Sequence, residues 1–267
     1  MSMNCKELVA IIDFIVYFSV MASVETKKDI LHFLNTADSW LCGYSSPYTE
    51  LEKTCTFTAE TDDDSLRSPS APALNSGLKI EQLAGKIAQC TRCPLAKTRK
   101  NTVPGEGCTT PLVMVIGEGP GADEDATGRP FVGKAGQLLD KMLTAIDLSR
   151  GTNTYIANIV KCRPPQNRDP DPEEAQACRS FLDLQIQFLK PHLILALGRV
   201  SAQNLLNCKE TIGSLRGKFF EYKGIPLLPT YHPSALLRDE SLKRPAWEDL
   251  KLFRKKLNEL ISTQGRP

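Results

Sequence analysis

Four short apolar runs, at 112–117, 154–160, 193–198 and 225–230, recur through the later part of the chain with little polar alternation. That is the pattern of strands buried on both faces of a parallel sheet. Between and after them the apolar positions take a helical period, over 133–148, 172–189, 200–206 and 246–261. Pro172 followed by Glu173 and Glu174 makes a favourable helix start, because proline suits a first turn and carboxylates suit its positive end. Strands alternating with helices predict an α/β, doubly wound fold whose active residues sit on loops at the carboxyl ends of the strands.

Ahead of this region the pattern changes. Residues 8–24 are strongly apolar, yet they are short for a membrane span, contain Asp13, and lack the basic start and cleavage pattern of a secretion signal. They predict a packed helix, with a second one over 26–41. Residues 60–77 turn acidic and then rich in Ser, Pro and Ala, which predicts a flexible linker. The expected organisation is an N-terminal helical extension over 1–59, a linker over 60–77 and a main domain over 78–267.

Charge divides at the same place. Residues 1–77 carry 5 Lys/Arg against 11 Asp/Glu, whereas 78–267 carry 28 against 20. A positive main domain is compatible with a polyanionic partner and does not by itself establish one. The nine cysteines form no disulfide framework, which points to a reducing, cytoplasmic compartment and a chain without a membrane association.

Four of those cysteines carry a chemical expectation. Cys90 and Cys93 form a C-x-x-C, and Cys162 and Cys178 follow downstream around a proline-rich stretch, Lys161-Cys162-Arg163-Pro164-Pro165. Thiolates so paired select zinc, copper(I) or an iron–sulfur cluster, and the spacing alone does not choose among them. Other candidates lie on the predicted loops. The first strand runs into Gly117-Glu118-Gly119-Pro120-Gly121, which formally fits a dinucleotide fingerprint, but Pro120 and the acids at 123–125 oppose a bound pyrophosphate. Phe131, between Pro130 and Gly133, is a candidate stacking platform. Asn158 is an amide in an apolar strand, with a donor and an acceptor in one plane, suited to a nucleobase edge. His232 follows the fourth strand and can donate to a developing oxyanion.

Taken together, GEGPGADED, GRPFVGKAGQLLD, NIVKCRPPQNRDP with its following cysteine, and HPSALLR, in that order, resemble the family 4 uracil-DNA glycosylases, the iron–sulfur branch of the superfamily, over residues 80–261. The resemblance implies a Rossmann-like three-layer α/β/α domain with a four-stranded parallel sheet. It implies a [4Fe–4S] cluster on Cys90, Cys93, Cys162 and Cys178. It gives the chain uracil-containing DNA as substrate, single- or double-stranded, and implies excision of uracil to leave an abasic site at the start of base excision repair.

Carried over residue by residue, Glu118, Gly119 and Pro120 wall the pocket, Phe131 stacks on an extruded uracil, and Asn158 reads its pairing edge. His232 stabilises the departing base, and Glu124 and Asn167 are candidates for organising water. Leu236 enters the vacated stack, and Arg163, Ser234 and Arg238 face DNA. Gly119 stands where the best-known branch of the superfamily has an aspartate, which leaves the general base unassigned. The loop after the second strand carries no histidine, unlike that of the covalent, uracil-trapping relatives, so turnover is expected. The enzyme is expected to act as a monomer, with the N-terminal extension free for a protein contact.

Overall fold

The structure, a computed structural model, describes residues 71–263, with side chains from Ser76 onward. The expected helices at 8–24 and 26–41, the extension over 1–59 and most of the expected linker lie outside the described residues. The end of that linker does not: residues 71–77 form the first turns of helix α1 (Ala71–Ala88). Its later turns bury Leu83 and Ile87 in the core, and Ser76 donates to the Thr109 carbonyl at 3.1 Å. Packing at one end therefore extends the helix back through a segment whose composition alone reads as irregular.

Four strands, β2 (Val113–Gly117), β3 (Thr154–Asn158), β4 (Leu193–Leu197) and β6 (Ile225–Thr230), pair in parallel in the order β3-β2-β4-β6. The sheet is larger than the four strands expected from the sequence. It has six, because β1 (Glu106–Gly107) and β5 (Phe220–Tyr222) add antiparallel edges to β3 and β6. These edges are two and three residues long and partly exposed, so they carry no long apolar run of their own.

Alternate side chains along the inner strands point to opposite faces. Met114, Ile116, Tyr155, Ala157, Ile194 and Ala196 pack with α1, α4 (Pro172–Leu189) and α5 (Gly198–Leu206). Val113, Val115, Ile156, Leu193, Leu195 and Leu197 pack with α3 (Lys134–Thr144), α7 (Pro233–Arg238) and α8 (Lys243–Thr263). The remaining short helices are α2 (Ala122–Thr127) and α6 (Ile212–Leu215). Both neighbours of β2 are parallel strands reached in opposite directions, so a crevice opens at its carboxyl end, where ligands bind in sheets of this kind. Among the described residues no helix is long and apolar enough to cross a membrane.

Candidate active site

A cavity of about 530 Å3 occupies that crevice. Loops after all four parallel strands line it: Glu118 to Gly121 after β2, Asn158 at the end of β3, Gly198 to Val200 after β4, and Tyr231 and His232 after β6. Phe131, Glu124 and Asn167 also line it, so Glu118, Gly119, Pro120, Glu124, Phe131, Asn158, Asn167 and His232 meet at one place.

Asn158 is 1 % exposed, and its Oδ1 has no hydrogen-bond partner among the described residues. A buried amide oxygen without a donor is uncommon and calls for a ligand or a function. It reaches the cavity because Gly117 stands opposite. A Cβ at Gly117 would sit 2.5 Å from that oxygen and 2.6 Å from the Phe131 ring.

Phe131 has a φ of 54°, a left-handed conformation that is strained for a bulky side chain and is seen where surroundings impose it. Those surroundings are on three sides. Arg150 donates to the carbonyls of Pro130 and Phe131 at 2.9 and 3.0 Å, and Asp140 fixes Arg150 in turn. Glu124 accepts from the N–H groups of Val132 and Gly133 at 2.9 and 3.1 Å, and from Gly121 at 3.1 Å. Gly136 permits the tight turn, since a Cβ there would fall 1.8 Å from the Phe131 carbonyl oxygen. Glu124, expected to organise water, thus has its carboxylate committed to three backbone donors and positions the Phe131 loop.

His232 lies 5.6 Å from Phe131 between ring centroids and forms the N-cap of α7. Its Nδ1 lies 3.1 Å from the Ser234 backbone N–H and 2.8 Å from the Ser234 hydroxyl. A backbone N–H can only donate, so Nδ1 is unprotonated and the ring proton is on Nε2. Burial pulls the His232 pKa down to about 4, with Arg238 adding to the shift and Glu124 opposing it. The imidazole is therefore a neutral N–H donor at physiological pH. The strand beneath is braced by Thr230, which donates to buried Asp249 at 2.7 Å, while Arg216 pairs with the same carboxylate.

Glu118 is a second carboxyl of the cavity, and its pKa is shifted. Burial first, and then the neighbouring Asp169 carboxylate, push its pKa up to about 7 against the pull of Arg199. Asp169 and Arg199 form an ion pair at the rim. Arg163 donates to Asn167 at 2.8 Å, and Arg238 is exposed at the mouth.

Ser234 lines the cavity with its hydroxyl on His232. One expected DNA contact differs from expectation. Leu236 is 2 % exposed, packed into the core beneath α7, and cannot enter a base stack without unfolding that helix. Its neighbour Leu237 is 49 % exposed. Residue order in HPSALLR does not reveal which leucine the six-residue helix turns outward. Arg150, Gly136 and the Asp249 brace were missed for a similar reason, since each acts through a contact distant in sequence.

The four cysteines also converge. Cys90, Cys93, Cys162 and Cys178 line one small cavity beside α4, all as free thiols. Arg99 donates to Cys162 Sγ at 3.1 Å and the Lys161 backbone N–H to Cys178 Sγ at 3.3 Å. Burial raises the Cys162 and Cys178 thiols, with Arg99 and Lys161 respectively opposing it. At Cys90 burial is outweighed by hydrogen bonds and charge from Arg92, and the pKa is lowered. Among the described residues no three His, Cys, Asp or Glu side chains are arranged to hold a single metal ion. Four cysteines around one cavity, with N–H donors at the sulfurs of Cys162 and Cys178, fit the wider corners of an iron–sulfur cluster once deprotonated.

Residues 104–251 match the family model of the uracil DNA glycosylase superfamily. The chain is similar to the Type-4 uracil-DNA glycosylase of Pyrobaculum aerophilum, 45% identical over 184 residues that cover 66% of this chain and 93% of the relative. It is also similar to the Type-4 enzymes of Saccharolobus solfataricus, 43% identical over 69% of this chain and 88% of that one, and Thermotoga maritima, 44% identical over 70% and 96%.

Proposed function

This chain belongs to the uracil-DNA glycosylase superfamily and excises uracil from DNA, and we propose that it does so by stabilising uracil as a leaving group, with Asn158 reading the base and His232 receiving the developing charge. The observation that carries this reading is the orphaned Asn158 Oδ1. Uracil offers N3–H to that oxygen and O4 to the amide N–H, whereas cytosine presents the reverse pattern.

The base must first leave the stack. Extrusion costs a few kcal/mol, least for a single strand or a mismatch, so a U·G mismatch is a good substrate. Phe131 stacks on the extruded ring. As the N-glycosidic bond lengthens, the sugar becomes oxocarbenium-like and uracil O2 gains negative charge. A neutral Nε2–H aimed at that oxygen is worth more in the transition state than in the ground state, so it accelerates the bond-breaking step itself. Water then adds to the sugar, and Glu118, with a pKa of about 7, is the carboxyl in the cavity suited to take its proton. The enzyme acts as a monomer in this reading, with the N-terminal extension over 1–59 free for a protein contact.

Leu237 is assigned the wedge. Leu237→Ala should slow excision from duplex DNA by roughly tenfold or more while sparing single-stranded uracil. Leu236→Ala should instead destabilise the fold by about 2–5 kcal/mol. Parallel excision rates on the two substrates check this, and an unchanged duplex rate for Leu237→Ala would remove it from the role.

Cys90, Cys93, Cys162 and Cys178 would hold a [4Fe–4S] cluster, which supplies a structural cross-link between the segment after α1, the loop after β3 and α4. Protein made anaerobically should be brown, with near-stoichiometric iron and sulfide, and Cys162→Ser should be colourless or poorly folded. Zinc in an unoxidised preparation would contradict the assignment. The function itself is tested with purified protein and an oligonucleotide containing one uracil, followed by alkali. A break at uracil alone is expected; an intact strand would overturn the reading.

A further inference from the structure

Lys161 is among the largest side chains wholly buried in the domain, and it is a charged one. Its ammonium donates to the Asn158 backbone carbonyl at 2.8 Å and to Gln185 Oε1 at 2.7 Å, both neutral acceptors. Gln185, itself 1 % exposed, is held by donating to the Pro104 carbonyl at 2.6 Å. Among the described residues no carboxylate pairs with Lys161. On one side it lines the cysteine cavity. Its main chain is anchored as well, the N–H on Cys178 Sγ and the carbonyl accepting from Val103 at 2.8 Å.

A buried ammonium without a counter-charge costs several kcal/mol, and a hydrophobic residue of similar length would serve the core better. Two neutral oxygens do not offset that cost. A cluster bound by four thiolates carries net negative charge, in the cavity that Lys161 lines. We infer that Lys161 is the internal counter-ion of the cluster, and that the same ammonium, through the Asn158 carbonyl, holds the end of β3 in the position that uracil reading requires. The inference rests on the proposed cluster. It gives that cluster a use in recognition without electron transfer: its charge keeps the ammonium in place, and the ammonium keeps Asn158 in place.

The test uses holoenzyme and two readouts, the reduction potential of the cluster by EPR-monitored titration and single-turnover excision of uracil. Lys161→Met removes the charge at similar length. Its potential should move to more negative values, because a nearby cation that favours the reduced cluster is lost, and its excision rate should fall about tenfold or more. Lys161→Arg keeps the charge and changes the fork at Asn158, so it should keep a near wild-type potential and lose excision. Gln185→Met should do the same. Wild-type protein without iron would overturn the cluster and the counter-ion together. A wild-type cluster, with wild-type potential and excision in Lys161→Met, would overturn the counter-ion alone. Should Lys161→Met fail to fold, wild-type excision by both Lys161→Arg and Gln185→Met would overturn the inference, and a loss in either would support it.

Discussion

Asn158→Asp should lose uracil excision by about 10⁴ or more, the scale on which sites built from buried hydrogen bonds reject a mismatched pattern. The substitution keeps the shape and removes the donor. Asn158 sits at 1 % exposure with an unpartnered Oδ1, so a carboxylate there would face uracil O4 as acceptor against acceptor. Only the ionised carboxyl produces that clash, since a protonated one would present a donor and an acceptor as the amide does. Excision from single-stranded DNA containing uracil or cytosine at one position, with protein in excess, measures the loss. A rate within tenfold of wild type on uracil would show that the amide does not read the base.

His232→Ala should slow the chemical step by roughly 10²–10³, the usual cost of removing one oxyanion donor, with little change in affinity for uracil-containing DNA. The reason lies in the tautomer. Two donors from Ser234 fix Nδ1 as an acceptor, which leaves Nε2–H for the cavity, where it meets charge that develops only as the bond breaks. Because the pKa is pulled from an ordinary 6.5 down to about 4, His232 stays neutral as pH falls from 7 to 5 and contributes no rate change over that range. It does affect stability there. Between about 6.5 and 4 the unfolded chain takes up a proton that the folded one excludes, so folded-state stability falls with pH through that window and is unaffected by this group above it.

Much of the fold is legible in the chain because the inner strands are buried on both faces. VMVIG and LILAL have no polar positions, and IPLLPT only its terminal Thr230, to confuse with a helix of comparable length. The edges β1 and β5 escape notice since their few residues are half exposed and take strand form only by pairing with β3 and β6. The start of α1 was hidden in a Ser/Pro/Ala composition, where distant packing by Leu83 and Ile87 outweighs local preference. At the site, Phe131, Asn158 and His232 stand out as residue types unusual for their surroundings. What the sequence does not carry is direction. Which face of α7 turns outward decides between Leu236 and Leu237, and which nitrogen of His232 holds the proton depends on Ser234. Glu124 reads as a free carboxylate until its three backbone partners are seen.

Leaving-group stabilisation by His232 is tested most directly by single-turnover excision from a uracil oligonucleotide, wild type beside His232→Ala, with chemistry limiting and DNA affinity measured in parallel. The predicted result is a rate lowered by roughly 10²–10³ at nearly unchanged affinity. Equal rates, or a loss confined to affinity, would contradict it.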